Sequence, residues 1–159
     1  MKKIILLIML VIIVVFSMTG CKKKVKPITG SFTITCESKN NSMKGVDQTN
    51  ISVYNFGKDQ YITDYEIKTI SVYSDKETYE YYKESAEESA KSDDSDKVVY
   101  DISSDDDTQT VIFSYKIVLS KDDLKNFGDK DYYKVKNVFD RIKTGAKCSF
   151  KGIKEEQIK

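Results

Sequence analysis

The chain has 159 residues, 26 of them basic and 25 acidic, with no histidine and no tryptophan, for a formal net charge of +1. That length holds one domain, and the near-balance of charge lacks the basic surplus on which nucleic-acid binding draws. The absence of histidine removes Ser-His and Cys-His nucleophile pairs, imidazole metal sites and the commonest general base.

In chain order the first element is a leader. Lys2 and Lys3 precede an unbroken apolar run from Ile4 to Phe16, followed by small or modest residues ending in Gly20-Cys21. A basic head, an apolar centre and a small-residue boundary make a secretory signal. Met18-Thr19-Gly20-Cys21 resembles the lipobox of bacterial lipoproteins, with Met18 standing where Leu is preferred. The resemblance implies cleavage before Cys21 and a diacylglyceryl group on its thiol. The competing reading is an uncleaved membrane anchor, which reaches the roughly 20 residues of a span only if Ser17 to Gly20 are counted. Lys22, Lys23, Lys24 and Lys26 would then hold the C-terminal part in the cytoplasm.

Cleavage would leave 139 residues with 24 basic against 25 acidic, a net charge of −1. Residues 21–30 then read as a lysine-rich tether carrying the only proline, Pro27. One role for it is a second membrane signal that presses on anionic headgroups; the other is a soluble spacer. With Cys21 assigned to lipid, Cys36 and Cys148 remain as an even pair, which in an exported chain predicts a disulfide. Two buried free thiols are the alternative.

The globular part is predicted over 31–151, with 152–159 a charged, frayed tail. Ser31–Cys36 alternates apolar and polar residues as a half-buried strand does, and Glu37–Gln48 reads as a polar loop. Asn50–Phe56 and Tyr61–Tyr73 form a hairpin about the turn 57–60. A bulge is expected near Thr69, because Tyr65 and Ile67 point one way and Ile70 and Val72 the other. Ser74-Asp75-Lys76-Glu77 reads as a capping box opening a helix to about Lys91, whose inner stripe is Tyr79, Tyr82, Ala86 and Ala90. Lys97–Ile102 and Thr110–Leu119 form a second hairpin. Ser120 caps a short helix carrying Leu124 and Phe127. Val135, Val138, Phe139 and Ile142 mark a helix over 131–144, and Cys148-Ser149-Phe150 returns as a strand. The order predicts an α+β domain: a single antiparallel β-sheet of about five to six strands, built on two hairpins, with helices packed on one face.

Chemistry-bearing patterns are sparse. Asp93, Asp94, Asp96 and Asp105–Asp107 gather acid, but without the glycine and terminal glutamate of a calcium loop they read as solvated tips. Tyr79, Tyr81, Tyr82, Tyr132 and Tyr133 are candidates to line a sugar or peptide surface, although half of each cluster lies on a core stripe. No catalytic, cofactor-binding or metal-ligating residue is singled out, and no cofactor is expected.

The succession of lipobox, Phe32-Thr33-Ile34-Thr35-Cys36, the Ser74-Asp75-Lys76-Glu77 helix, Tyr115-Lys116-Ile117-Val118-Leu119 and Ala146-Lys147-Cys148 resembles the YehR-type small lipoproteins of Gram-positive bacteria. The likeness runs from Cys21 to Phe150. It implies a membrane-anchored globular domain and supplies no activity. The sequence therefore predicts a non-enzymatic, extracytoplasmic lipoprotein held to the cell membrane through Cys21 and the nearby lysines, serving binding or envelope maintenance. A protein or small-ligand partner is left open. The alternatives are a surface hydrolase working with paired carboxylates and an accessory subunit of an envelope complex.

Overall fold

Six strands account for most of the backbone pairing: β1 (Phe32–Asn40), β2 (Val46–Phe56), β3 (Ile62–Tyr73), β4 (Val98–Asp105), β5 (Thr110–Val118) and β6 (Lys147–Lys151). They form one sheet in the order β4-β5-β3-β2-β1-β6, antiparallel at every join. Among the described residues three α-helices complete an α+β fold: α1 (Lys76–Ser92), α2 (Lys121–Asn126) and α3 (Val135–Ile142), with 3-10 turns at Lys130–Tyr133 and Glu155–Gln157. The computed structural model describes residues 25–92, 97–126 and 128–158. The predicted leader, Cys21, Lys22–Lys24, Asp93–Asp96 and Phe127 lie outside the described residues.

Glu37–Gln48 is not a loop. β1 continues to Asn40 and β2 begins at Val46, so Ser38 faces Asn50, Lys39 faces Thr49 and Asn40 faces Gln48. Polar side chains hid this pairing, yet backbone hydrogen bonds serve them as well as apolar ones; the Asn40 amide also donates to Gln48 at 3.3 Å. The turn is short because Gly45 adopts φ +78°, and a Cβ there would lie 2.7 Å from Ser74 Oγ. β1, β2 and β3 are thus a three-stranded meander, one hairpin more than predicted.

The bulge expected near Thr69 is absent: β3 pairs with β2 without a break from Asp64 to Tyr73, and the irregularity falls at Asn55/Phe56. Tyr65, Ile67, Thr69, Ser71 and Tyr73 share one side, while Ile70 lies on the other, opposite Ile112 of β5. The apparent change of phase comes from apolar residues on both faces of a straight strand.

Helix starts differ from the sequence reading in one case and agree in another. At α1 the Asp75 carboxylate, not Ser74, accepts from the Thr78 amide at 2.8 Å, and that bond draws the Asp75 carboxyl below its ordinary range. At α2, Ser120 Oγ accepts from the Asp123 amide at 3.1 Å while Asp123 Oδ2 accepts from the Ser120 amide at 2.8 Å. Lys97, followed by Ser120, holds the Asp123 carboxyl down to about 2. An unfolded aspartate titrates near pH ~3.9 and takes up its proton first as pH falls. The stability tied to this pair is therefore whole above that pH and is lost as pH falls through about 2. Asp123→Asn lacks it at every pH, so its urea midpoint is expected to change less across that acid range than the wild type's.

The helix predicted over 131–144 is broken. Residues 130–133 make a 3-10 turn, Lys134 is extended (φ −77°, ψ 143°), and α3 starts at Val135. Tertiary contact sets the break: Lys134 bridges Tyr61, and the Val135 amide donates to Gln60 O at 2.9 Å.

The larger core gathers Phe32, Ile34 and Cys36 of β1, Phe56 of β2, Ile62 of β3 and Val135, Val138 and Phe139 of α3. A smaller cluster joins Val46, Tyr73 and Val111 of the sheet to Tyr79 of α1. Cys36 and Cys148 face each other across β1 and β6, their Cα atoms 4.1 Å apart and their sulfurs bonded, as the residue pattern predicts. The segment after β6 is not a frayed tail. Ile153 and Ile158 are 8% and 5% exposed and belong to the larger core. Nor is the tether free throughout its length, since Ile28 packs on that core and Lys26 O accepts from Gln157 at 2.9 Å.

Candidate functional site

Antiparallel register places directly opposed residues on the same face. Tyr54 of β2 opposes Tyr65 of β3, Ile67 of β3 opposes Tyr115 of β5, and Tyr115 opposes Tyr100 of β4. Four neighbouring strands therefore contribute to one aromatic row. The Tyr54 and Tyr65 rings stack at 5.9 Å, Tyr65 meets Tyr115 edge-on at 6.3 Å, and Tyr100 lies 6.3 Å from Tyr115. These rings are half-buried.

Over one end of the row stand the 3-10 turn and α3, whose Tyr132, Tyr133 and Arg141 complete an open cleft of about 340 Å³. Val138 and Ile142 sit at its back. The Arg141 guanidinium lies 3.5 Å above the Tyr132 ring and donates to Tyr132 O at 2.8 Å, so the helix and the turn fix each other. Burial raises the phenols of Tyr54, Tyr65 and Tyr115 above their ordinary values. At Tyr54 a hydrogen bond with Ser52 and the charge of Arg141 act in the opposite sense. All three hydroxyls are therefore neutral donors at physiological pH. A second hollow of about 230 Å³ runs along α1, between Tyr73 and Phe113 of the sheet and Tyr82 and Ala86 of the helix.

The tyrosines singled out in the sequence divide. Tyr132 and Tyr133 do line the cleft. Tyr79 is sealed in the smaller core, its hydroxyl donating to Asp106, and Tyr81, on α1, is 67% exposed. In the sequence Tyr54, Tyr65 and Tyr115 stand out only as strand residues, and their signal is the period-2 spacing that puts each on an apolar face. Arg141 carries its own signal: it is the only arginine beside 25 lysines.

The acidic tip Asp105–Asp107 serves local structure. Asp105 Oδ1 accepts from the amides of Asp107 and Thr108 at 3.0 and 3.3 Å. Asp106 takes the Tyr79 hydroxyl and, at 2.7 Å, the Lys83 ammonium. Among the described residues no cluster of acidic or cysteine ligands gathers for a metal. The carboxyls with displaced titration, Asp75, Asp106, Asp123 and Asp140, are all displaced downward by hydrogen-bond donors. Among the described residues no helix is long and apolar enough to cross a membrane. Comparison of the chain with family models, curated proteins and solved structures returns no match.

Proposed function

We propose that this is a lipid-anchored extracytoplasmic binding module, cut before Cys21, acylated on that sulfur, and presenting the tyrosine cleft to a ligand. The Cys36–Cys148 bridge carries the address, because disulfides persist where the surroundings are oxidising and are rare in the cytosol. The leader pattern of Lys2-Lys3, Ile4–Phe16 and Met18-Thr19-Gly20-Cys21 supports the same placement, as does the likeness to the YehR-type lipoproteins. With Lys26 fastened to Gln157, residues 22–25 alone separate the lipid from the folded part. At no more than about 3.6 Å per residue, the domain stands within about 18 Å of the headgroups. Lys22–Lys24 would then lie against anionic lipid, the second anchoring signal a singly acylated chain needs.

In this reading α1 and α3 cover one face of the sheet from its two ends, and the aromatic row between them is left open. The clustering of Tyr79 with Tyr73 and Val111, and of Val138 with Ile34 and Phe56, supports that arrangement. A half-buried row of rings suits reversible binding, since each ring offers an apolar body and a polar end. The hydrolase alternative calls for a carboxyl pushed up by burial, and the displaced carboxyls go the other way. An envelope-complex subunit would show a broad apolar patch. The exposed Val99 and Val118 instead stand opposite Lys116 and Asp64, which pair at 3.7 Å.

Intact mass of the protein extracted from membranes, with and without reductant, tests the address. The expected species lacks residues 1–20, carries diacylglyceryl on Cys21 and gains a pair of hydrogens on reduction. A full-length mass with Met1 retained and Cys21 unmodified overturns it.

A further inference from the structure

The cleft has a charge character as well as a shape. Among the described residues its lining is aromatic and aliphatic apart from Arg141, with no carboxylate and no lysine. The nearest acid on the same helix, Asp140, is already matched by Lys136 at 3.7 Å and Lys143 at 2.5 Å. None of the ion pairs among the described residues involves Arg141. A guanidinium carries five N–H donors in a planar fork. Stacking on Tyr132 occupies one of its faces rather than its edge, and the bond to Tyr132 O uses a single donor. The remaining edge has the geometry that a carboxylate accepts in bidentate fashion. One unmatched positive charge calls for a monoanion; a phosphate dianion would leave a charge uncompensated.

The body of the ligand follows from the rest of the lining. A volume of about 340 Å³ lies at the lower end for small-molecule sites, enough for one or two six-membered rings. Tyr54, Tyr65 and Tyr115 bring apolar ring surface together with phenol hydroxyls, which matches a ring with C–H faces and hydroxyl edges. An aromatic acid would call instead for a closed apolar slot. Resting on the reading of the cleft as a binding surface, we propose that it takes a sugar bearing one carboxylate, the ring on the tyrosine faces and the acid on the free edge of Arg141.

Full-length protein in a sugar-free detergent, labelled at tyrosine and followed by NMR, is titrated with glucuronic acid, glucose and benzoate. Glucuronic acid is expected to shift the Tyr54, Tyr65 and Tyr115 signals and to bind about tenfold more tightly than glucose, the worth of one charge-assisted pair. Arg141→Met should bring glucuronic acid down to the level of glucose. Arg141→Lys, which keeps the charge and loses the fork, should fall between. Unchanged signals of Tyr73 and Tyr79, which lie in the other cluster, in the unliganded variants show that the fold is intact. Equal binding of glucuronic acid and glucose, or glucuronic acid binding that survives Arg141→Met, overturns the acid and leaves the cleft as a binding surface. Benzoate binding more tightly than glucuronic acid overturns the sugar. If none of the three compounds moves any cleft tyrosine, both this inference and the reading it rests on fail.

Discussion

Replacing both Cys36 and Cys148 by serine is expected to remove about 3–5 kcal/mol of folding stability, read as a lower urea midpoint under non-reducing conditions. The two residues are 112 apart in sequence, and closing so long a loop in the unfolded chain is worth about 4–5 kcal/mol in the chain-entropy model. A domain of this size has a total of roughly 7–20 kcal/mol at about 0.05–0.15 kcal/mol per residue, so the loss is a large share. The fold shows why the native state also feels it. β6 is a five-residue edge strand paired only with β1, and it delivers Phe150 and the segment holding Ile153 and Ile158 to the larger core. Without the bridge that strand is held only by its pairing with β1 and by the packing of Phe150, Ile153 and Ile158. Wild-type protein in reductant should unfold at the midpoint of the double variant. A change below about 1 kcal/mol in both experiments would mean that β6 docks unaided and that the bridge is incidental.

Much of this architecture is readable from residue pattern because it follows local periodicity. The alternation of Val111, Phe113, Tyr115 and Ile117 announces β5, and Ser120 announces α2. The cysteine pair indicates which ends meet. What escapes the sequence is fixed by partners distant along the chain. Lys134 is extended because Tyr61 bridges it and Gln60 O holds the amide of Val135, and nothing in Asp131–Thr144 signals that interruption. The strand extension through Lys39 and Asn40 carries no apolar residue, so only Thr49 and Gln48 opposite reveal it. Ile153 and Ile158 sit in a charged background with no period, although both are buried. The cleft is half legible. Tyr132 and Tyr133 stand out as adjacent rings, while Tyr54, Tyr65 and Tyr115 become neighbours only once the strand order β5-β3-β2 is known.

Phe56→Ala is expected to cost about 3–5 kcal/mol, the range for deleting a fully buried aromatic ring. Phe56 is 1% exposed, stacks on Phe32 at 4.9 Å, and belongs to the cluster that unites β1, β2, β3, α3 and the C-terminal segment. Removing it opens a void that those elements share, so the whole domain should lose stability together. Tyr79→Ala acts on the other cluster, where α1 meets Val46, Tyr73 and Val111. There the phenol also donates to Asp106, which in turn holds Lys83 at 2.7 Å. Its loss should free α1 while leaving the disulfide-linked strands in place. Native-state hydrogen exchange separates the two cases. Phe56→Ala should accelerate the slowest amides throughout the sheet, and Tyr79→Ala should accelerate those of α1 while β1 and β2 keep their protection. Equal acceleration at all sites in Tyr79→Ala would show that the two clusters open as one cooperative unit, and that α1 is as integral to the fold as α3.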